Sequence, residues 1–583
     1  MNSPETAHPV PEVRVQLEVH PAFRDHLSAD GPLAQAVCRN VAEGGAEILA
    51  ALGIPGQPAA RVDFLPSEAT AVFLRVIANG QVCRCPAEVL ARVDSYVRGE
   101  PLNLATPAHL LDAWRYAART GKSAAFVEEN RQLLIEFLTL ASLEAIKEQP
   151  SVLLGAAQAD RYCCALPQPP APDGLHPVLR QVLDLRLSLE DRDRVAEVIG
   201  KGLAEGRAQA DMAEDLIAAL RPDVVEILLP RDYLRQITTS TTNEDDFEAF
   251  ILLRDGLFYE LGVTFPKLRF VESGRLKPNS FACKINHLTT LPRTGLKAGQ
   301  YLVNQTCDAL QKLGIPAQAT VNPYNWGQIS VAHLDDLNAA QIDAPWTWTP
   351  MAYIVLCLAV ELRYHSACFL DSRVVGGQLQ DLERVFPALT QAARSKATEE
   401  QLTRVMRELI DEQISIRDLR LILERWLDFD TIVVTEPYEV IVFDDRLATS
   451  APPDPAWLGD PATLAAFVRS GMKRSISHKY AAGGGALNVL LLDPGFERWF
   501  IERRRQGIRP DEAARDRILA AIREELGVGP PPLNLHAILT TQELRAPLRE
   551  IIAAEFPRLP VLAYQELTPD LIVLPMARIR PEF

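Results

Sequence analysis

A hydroxyl nucleophile and a base stand close together in Lys473–Tyr480 (KRSISHKY), where Ser475 and Ser477 precede His478 by three and one positions. Nucleophilic catalysis needs a base that the fold brings to the hydroxyl and a third group that orients the base. Residues one and three positions apart in a chain do not by themselves provide that arrangement. We therefore interpret this segment as a polar helix end before a glycine turn, and we expect no enzymatic activity.

Three further patterns include residue types that bind phosphate or metal. The run Gly483–Gly485 has no following Lys-Ser/Thr pair and lies between a helix and a strand, in the order opposite to that of a P-loop. Asp444 and Asp445 are typical of a turn at a strand end. The ten histidines show no H-x-x-x-H spacing. We expect neither a bound metal nor a cofactor.

Nine cysteines are present, and the closest pairs are Cys83 with Cys85 and Cys163 with Cys164. Neither spacing is that of a zinc knuckle. An odd number of cysteines without a paired pattern is typical of reduced thiols in a reducing compartment. We expect these thiols to be reduced and mostly buried.

Four large aromatic residues lie in loop-like sequence, in VNPYNWGQIS and PWTWTP: Tyr324, Trp326, Trp346 and Trp348. Aromatic residues in such positions often anchor protein interfaces. Buried packing is the commoner use of these side chains, and the sequence leaves both interpretations open. They are our candidates for a docking surface.

Composition limits the class of protein. With 583 residues, of which 48% are hydrophobic and 23% charged, the chain is long enough for three to five globular domains. Its formal net charge of −16 opposes the basic surface on which binding to a phosphate backbone depends. The run Arg503–Arg505 has acidic neighbours and is typical of a solvated helix face. We expect no nucleic-acid partner.

The apolar segments of the chain are too short for a membrane. The longest nearly unbroken apolar run, Met351–Val360, is followed at once by Glu361, whereas a membrane span needs about 20 apolar residues. We predict a buried core helix there. The N-terminus has neither a basic start nor an apolar segment, so we predict no secretory signal and a cytoplasmic protein.

Helices with clear caps and stripes mark the centre of the chain. Thr398 begins one helix with a capping box, and Ser415, three residues before Asp418, is predicted to cap the next. Two helices so close in sequence predict a helical hairpin. Another helix carries its apolar stripe to Leu261 and ends at Gly262, which is predicted to adopt a left-handed conformation.

The C-terminal hundred residues alternate strands with helices: strands at 488–493, LHAILTT, LPVLAYQEL and LIVLPMARI, and helices at 511–525 and in LRAPLREIIAAEF. Crossovers of that length are what parallel strands need, so at least one parallel pairing is predicted. Proline-rich stretches at 167–177, 452–461 and 527–532 are predicted linkers or loops.

The N-terminal third contains a candidate internal repeat. LGIPGQPAARVDFLP near residue 52 is similar to LGVTFPKLRFVESGRLKP near residue 261, each with a Leu-Gly helix end that leads into a strand. Pro177, Leu179, Gln181 and Val195 match Pro387, Leu389, Gln391 and Val405 at the same internal offsets. Matches this sparse also arise by chance between two helical regions, so duplication and coincidence both remain open.

Five further segments follow one another over about 350 residues: LRDGLFYELGVTFPKLRFVESGRLKPN, QISIRDLRLILE, KRSISHKY, LLLDP, and EFPRLPVLAYQELTP with LPMARI. In this order they resemble the FHIPEP family of export-gate proteins of flagellar and virulence-type secretion systems. The motif positions, which we take as mainly structural, are Leu276, Pro278, Asn279, Ser415, Ile416, Arg417, Asp418, Leu419, Lys479, Tyr480, Asp493, Pro494, Pro560, Tyr564, Gln565 and Glu566.

The resemblance, from about residue 226 onward, implies an α/β and α+β multidomain fold with four subdomains. An α/β first subdomain is interrupted by a small second one, and a helical third and an α/β fourth follow. The expected boundaries are 226–294 with 346–376, then 295–345, 377–483 and 484–583, preceded by an N-terminal α/β module at 1–105 and a helical region at 106–225.

The resemblance also implies a function. Members of the family assemble this region into a ring that receives export substrates and their chaperones, without chemistry of its own. We therefore expect a component of a type III secretion apparatus that binds ring subunits, chaperones or substrates. A stand-alone adaptor that retains the fold outside secretion is the alternative.

Two departures from the family pattern stand out. Soluble sequence at 1–225 takes the place of the family's membrane-spanning helices. The usual Asp-Pro and Thr-His-Leu are replaced by Thr349-Pro350 and Leu356-Cys357-Leu358, which makes that helix more apolar.

Overall fold

The computed structural model describes residues 12–28, 31–65, 74–102, 110–167, 174–222, 224–240, 245–324, 327–340, 347–435, 461–481, 485–526 and 537–582. The chain divides into two compact units. The first comprises Met1–Phe250 and Pro266–Val360, and the second comprises Ile251–Phe265 and Glu361–Phe583. Among the described residues, no helix is both long enough and apolar enough to cross a membrane.

The first unit begins with a four-stranded sheet. Its strands are β1 (Glu12–Val19), β2 (Gln57–Phe64), β3 (Leu74–Ala78) and β4 (Gln81–Arg84), in the order β2-β1-β3-β4. Helix α1 (Pro32–Ala51) connects β1 to β2, which lie parallel, and the other pairings are antiparallel. Every second residue of β1 is buried, as a strand with one face on a core requires.

Seven helices follow this sheet in the described residues. They are α2 (Ala87–Arg98), α3 (Leu110–Arg119), α4 (Ser123–Glu148), α5 (Ala156–Cys164), α6 (His176–Asp184), α7 (Arg192–Ala204) and α8 (Gln209–Leu220). Helix α4 packs on α1, α2 and α3, and α8 packs on both α6 and α7. The N-terminal region is therefore an α/β sheet with a helical extension, as the sequence predicted in outline.

A second sheet has the order β6-β5-β7-β8, with a short strand beside β7. Its elements are β5 (Val224–Leu229), α9 (Arg231–Ser240), α10 (Asp245–Leu261), β6 (Lys267–Glu272), β7 (Ser280–Ile285), β8 (Leu288–Thr289) and β9 (Arg293–Thr294). Strands β5 and β6 are parallel, and β7 runs antiparallel to β5 and β8.

A small antiparallel sheet is inserted next, in the order β11-β12-β10-β13. Its elements are β10 (Gln300–Val303), α11 (Cys307–Lys312), β11 (Ala317–Val321), β12 (Gln328–His333), α12 (Leu334–Ala339) and β13 (Thr347–Trp348). It has a small core of its own, formed by Val303, Leu310, Ile315, Ala332 and Leu337. Helix α13 (Pro350–Tyr364) follows and contains the apolar run Met351–Val360, whose residues Ile354 and Cys357 are fully buried. The predicted core helix is confirmed.

The second unit contains a group of helices: α14 (Ser372–Glu383), α15 (Pro387–Lys396), α16 (Glu399–Asp411), α17 (Leu419–Thr435), α18 (Pro461–Gly471) and α19 (Lys473–Tyr480). The predicted capping box is confirmed, because Thr398 and Gln401 exchange hydrogen bonds of 3.1 and 3.2 Å. The prediction that α16 and α17 pack on each other as a hairpin was wrong, because helix α18 packs against both and bridges them.

The cap predicted for α17 was also wrong. Asp418, not Ser415, caps the helix: its Oδ1 accepts a hydrogen bond of 3.0 Å from the N–H of Leu421. Ser415 lies three residues earlier, in a loop in which its hydroxyl accepts from the N–H of Arg417. Both residues are good N-caps, and local sequence does not separate them.

A parallel sheet with the order β16-β15-β14-β17 ends the second unit. Its elements are β14 (Ala486–Leu492), α20 (Pro494–Arg505), α21 (Glu512–Leu526), β15 (Ala537–Thr540), α22 (Gln542–Ala553), β16 (Val561–Ala563) and β17 (Ile572–Ile579). All three pairings are parallel, so the predicted parallel pairing is confirmed. The predicted order of elements omitted helix α20, although the helix face expected at Arg503–Arg505 is present in its last turn.

Candidate docking surfaces

The aromatic residues proposed as a docking surface belong to the inserted sheet. Tyr324 follows β11 and is 48% exposed, whereas Trp348 is half-buried in edge strand β13. Trp326 and Trp346 lie outside the described residues. Because β11 and β13 are opposite edges of the sheet, Tyr324 and Trp348 mark two separate sides of it and do not form one cluster.

A second apolar surface lies on strand β17, which is an edge of the C-terminal sheet among the strands that the structure describes. Ile572, Leu574 and Met576 are 61%, 45% and 52% exposed. Exposed apolar groups in a row are a feature of protein-binding surfaces, and an edge strand also presents unpaired backbone groups. Sequence reasoning treated this strand as framework only, although its alternating apolar residues were visible.

The motif loop Leu276–Asn279 connects β6 to β7 in the first unit. Asn279 has a positive φ of 54°, and its carbonyl accepts a hydrogen bond of 2.7 Å from the N–H of Gly295. Leu276 is half-buried and Pro278 is exposed. These positions shape a turn, and the intervening Lys277, which sequence reasoning did not select, makes the charged contacts of the loop.

The motif segment Ser415–Leu419 forms a corner between α16 and α17, together with Gln413, which has a positive φ of 59°. The N–H of Ile416 donates to the carbonyl of Leu261 at 2.8 Å. Gly262, at the end of α10, has φ 78° as predicted, and a Cβ there would come within 2.4 Å of the nitrogen of Arg417. The close approach of these two segments therefore requires glycine.

Motif residues Tyr480 and Glu566 lie at a buried group of charges in the second unit, which we call the ion square. Its members are Glu412, Arg469, Arg545 and Glu566. The guanidinium of Arg469 meets Glu566 in two hydrogen bonds of 2.6 and 3.0 Å. Arg545 Nη1 donates to Glu412 at 2.5 and 2.6 Å. The other two sides of the square are contacts of 3.2 Å between Arg469 and Glu412 and 3.4 Å between Arg545 and Glu566.

The ion square is electrically neutral and almost fully excluded from water. The side chains of Arg469, Arg545 and Glu566 are at most 2% exposed, and that of Glu412 is 18% exposed. Burial opposes the charge on Glu412, but Arg469 and Arg545 outweigh it and hold the pKa of Glu412 below its usual value. Through these contacts the square connects α16, α18, α22 and the segment after β16.

Sequence reasoning found only one of the four members of the square. Glu566 was named as a motif position, whereas Glu412, Arg469 and Arg545 were not. Arg469 and Glu566 are 97 positions apart, and Glu412 and Arg545 are 133 apart. No local spacing connects such residues, so only the fold reveals the pairing.

The remaining motif positions support the C-terminal sheet. Asp493 caps α20 by accepting from the N–H of Gly495 at 2.8 Å, and Pro494 occupies the first turn. The carbonyl of Pro560 accepts from the N–H of Ile538 at 2.9 Å, Tyr564 is exposed and Gln565 is half-buried. At the corner, Lys479 Nζ donates to the carbonyl of Gln413, and Tyr480 Oη donates to that of Glu412 at 3.4 Å.

The candidate chemical groups are arranged as follows. Ser475 and His478 are exposed, while the Ser477 hydroxyl accepts a hydrogen bond of 2.9 Å from the N–H of Thr568. Asp444 and Asp445, with Gly483 and Gly484, lie outside the described residues. Within the part of the chain that the structure describes, no group of three or more His, Cys, Asp or Glu side chains could hold a metal ion.

Comparison with known proteins shows the family. The FHIPEP family matches residues 187–571, and the chain belongs to this family. The match begins earlier than the residue 226 expected from the motifs. The Low calcium response locus protein D of Yersinia pestis is 23% identical over 366 residues, which cover 59% of this chain and 47% of that protein. The Harpin secretion protein HrpI of Erwinia amylovora is 25% identical over 375 residues, which cover 60% of this chain and 46% of that protein.

A solved structure shows a similar fold. The CdsV protein of Chlamydia pneumoniae, solved alone and in a complex with the protein CdsO, is 25% identical to this chain with a TM-score of 0.50. The likeness covers 61% of this chain and 97% of CdsV solved alone. The chain spans about half the length of the curated relatives it matches. The expected α/β and α+β multidomain fold and the family resemblance are confirmed, and the relatives include a harpin secretion protein and flagellar biosynthesis proteins.

Proposed function

We propose that this protein is a component of a type III secretion apparatus that binds other proteins and carries out no chemistry itself. The observation that carries the proposal is the family match over residues 187–571, together with a structural likeness that covers nearly the whole of CdsV. Its partners would be export-gate ring subunits, secretion chaperones or export substrates. It would act in the cytoplasm or at the inner face of the membrane, as a monomer within a larger assembly or as a homo-oligomer.

The boundaries of the subdomains form part of the proposal. Residues 226–294 with 346–376 would be the first subdomain, 295–345 the second, 377–483 the third and 484–583 the fourth. The inserted sheet, β10 to β13, supports the placement of the second, and the parallel sheet supports that of the fourth.

Two surfaces support protein binding. The apolar row on β17 lies on an edge strand, where a partner could add backbone hydrogen bonds to apolar contact. We assign this surface to the cytoplasmic domain of a cognate export gate. Exposed Tyr324 on the inserted sheet is assigned to a chaperone or substrate. Because CdsV is solved with CdsO, a protein that corresponds to CdsO is a further proposed partner.

The first experiment is size-exclusion chromatography with light scattering on the purified protein, alone and mixed with the cytoplasmic domain of the cognate export gate. We expect a homo-oligomer or a stable mixed complex at tens of micromolar, about the range in which modest interfaces are occupied. A monomer that ignores the gate domain at that concentration would contradict the ring assignment and favour the stand-alone adaptor.

Matched variants locate the surface. Leu574→Glu places a charge in the middle of the apolar row and should weaken binding of the gate domain about tenfold or more. Ile508→Glu changes a residue that is 44% exposed outside that row and should have no effect. For a chaperone or substrate, Tyr324→Ala is compared in the same way with Leu313→Ala, whose side chain is 59% exposed. Equal losses from both members of a pair would reject that surface.

A further inference from the structure

Two sheets of the first unit have the same topology. Their strand orders are β2-β1-β3-β4 and β6-β5-β7-β8, with one parallel pair followed by two antiparallel pairs in each. Both end in a hairpin with a two-residue turn that begins on an asparagine with positive φ, Asn79 at 48° and Asn286 at 53°. A helical crossover joins the parallel strands in both. The same sheet therefore occurs twice along the chain.

The crossover helix of each sheet ends at a glycine with positive φ that lies against a distant backbone segment. Gly53 has φ 66°, and the carbonyl just before it accepts a hydrogen bond of 2.8 Å from the N–H of Leu189. Gly262 has φ 78°, and the carbonyl just before it accepts from Ile416, also at 2.8 Å. A Cβ on either glycine would come within 2.3 or 2.4 Å of the next backbone nitrogen of that partner segment.

The partner segments, which we call corner 1 (residues 185–191) and corner 2 (residues 412–418), have matching backbones. Each has a positive φ at its second residue, 60° at Arg186 and 59° at Gln413. In each, a serine hydroxyl accepts from the N–H two residues later, at 3.2 and 3.4 Å. In each, the last residue is an aspartate that caps the next helix, through a hydrogen bond of 3.0 Å from the N–H three residues later.

The helices around the two corners repeat as well. Helix α4 leads through a four-residue 3-10 helix, Pro150–Leu153, into α5, and α13 leads through Ser366–Phe369 into α14. Both 3-10 helices close with a hydrogen bond, of 3.1 and 3.2 Å, to a carbonyl three residues back. The first packs on α6 and the second on α16. Helix α8 packs on α6 and α7, just as α18 packs on α16 and α17.

Both corners offer the same two carbonyls to a following part of the chain. At corner 1, Leu185 O accepts from Asn286 Nδ2 at 2.7 Å, and Arg186 O accepts from the N–H of His287 at 3.0 Å. The N–H of Ser188 donates in turn to His287 Nδ1 at 3.1 Å. At corner 2, the equivalent carbonyls accept from Tyr480 and Lys479. The positive φ after the helix turns these carbonyls outward, where the helix itself leaves them without a partner.

A second contact joins the N-terminal region to the motif loop. Lys277 Nζ donates to the carbonyls of Tyr96 and Val97, at 3.3 and 3.0 Å, in the last turn of α2. It also lies 2.8 Å from Glu136 and 4.9 Å from the ring centre of Tyr96. A cation at a helix C-terminus is favoured by the unpaired carbonyls and the helix dipole. Thr320 Oγ1 adds a hydrogen bond of 2.8 Å to the carbonyl of Leu102.

We propose that residues 12–220 are a shortened second copy of the first and third subdomains, without the inserted sheet. We further propose that this copy is a built-in docking partner: corner 1 receives the turn Asn286–His287, and the end of α2 receives Lys277. The N-terminal region would then hold the sheet that carries the motif loop. This inference goes beyond the proposed function and does not depend on a role in secretion.

The docking is tested on the full chain with a protease site inserted after Arg221, where the N-terminal copy ends. After cleavage of the folded protein, the two pieces should still elute together at about 1 µM. Separation of the unsubstituted pieces at that concentration would overturn the docking. Far-UV circular dichroism before cleavage shows that each variant is folded.

Matched substitutions test the two contacts. Lys277→Glu should weaken association of the cleaved pieces at least about tenfold, whereas Lys267→Glu, on an exposed residue of edge strand β6, should not. The double variant Asn286→Ala/His287→Ala should also weaken it. Its control is Asn79→Ala, at the equivalent turn, whose hydrogen bond to Val152 O lies within the N-terminal copy. If neither set of variants changed the association, the assignment of corner 1 and the end of α2 as docking sites would be overturned.

The duplication is tested by exchange of the corners. Replacing residues 187–191 (LSLED) by the sequence of 414–418 (ISIRD) changes three positions: Leu187→Ile, Leu189→Ile and Glu190→Arg. Because the backbones match and Glu190 is exposed, the protein should fold and the cleaved pieces should associate within about threefold of the unsubstituted affinity. The composition-matched control, Leu187→Ser/Ser188→Leu, should unfold or separate. An exchange as damaging as that control would overturn the equivalence of the corners.

Discussion

Replacing Glu566 by glutamine is expected to destabilise the second unit by about 3–5 kcal/mol, because the change leaves the buried ion square with an uncompensated positive charge. Glu566 accepts two hydrogen bonds from Arg469, at 2.6 and 3.0 Å, and one from the N–H of Ala563, at 3.1 Å. The amide of glutamine can keep some of these hydrogen bonds. It cannot balance the charges of Arg469 and Arg545, both at most 2% exposed.

The assay is urea unfolding read by amide hydrogen exchange in α16, α18 and α22, since the two units need not unfold together. Glu383→Gln is the control, because it breaks an exposed pair with Arg394 of similar length, 2.7 Å, and should cost less than about 1 kcal/mol. Adding Arg469→Met to Glu566→Gln restores neutrality and should recover at least part of the loss. A cost for Glu566→Gln no larger than that of the control would refute the reasoning.

Three further predictions concern pH and backbone. The pKa of Glu412 is lowered in the folded protein, so the ionised Glu412 contributes its full stabilisation above the ordinary pKa of 4.5. This stabilisation is lost as the pH falls below 4.5. In acid unfolding, Glu412→Gln should therefore flatten the stability profile over that range of pH. Burial, and secondly the positive charge of Lys284, lower the pKa of His287, against the opposite effects of Arg186 O and Glu190. The neutral ring is therefore favoured, and the first unit should lose stability as the pH falls below 6.5. Hydrogen exchange of the α6 and α7 amides measures this loss, which should vanish in His287→Phe. Gly262→Ala should cost at least about 2 kcal/mol more than Gly507→Ala, because both glycines have positive φ but only Gly262 lies against a backbone; equal melting temperatures for the two variants would contradict this.

Sequence reasoning worked where the information is local. The capping box at Thr398 and Gln401 is set by residues three apart, and the left-handed helix end at Gly262 is set by a single residue. It failed at Ser415, where two good capping residues compete. What decides between them is the hydrogen bond from Ile416 to Leu261, more than 150 positions earlier in the chain. A tertiary contact of that kind leaves no trace in helix propensity.

The internal repeat that we propose illustrates the same limit of sequence reasoning. The sequence placed Val195 opposite Val405, because both lie in apolar helical stripes that match at many offsets. The duplication that we propose pairs Asp191 with Asp418 instead, since each caps the helix that leaves its corner. That register puts Val195 in α7 and Val405 in α16, which are not equivalent helices. The similarity near residues 52 and 261 agrees with the register of the proposed duplication, because each glycine lies against its corner.

The two corners also explain how one backbone conformation can bind two different sets of hydrogen-bond donors. Side chains at a duplicated interface diverge, and contacts that depend on them are lost together with the partner. The groups offered at corners 1 and 2 are backbone carbonyls, and they persist whatever residue occupies the position, provided that the backbone keeps its positive φ. Corner 1 therefore accepts an asparagine side chain and a backbone N–H, and corner 2 accepts a lysine and a tyrosine. Selection on the corner would act on its conformation and on the glycine that fits against it, so substitutions at Gly53 and Gly262 should be less well tolerated than those at the residues that the corners receive.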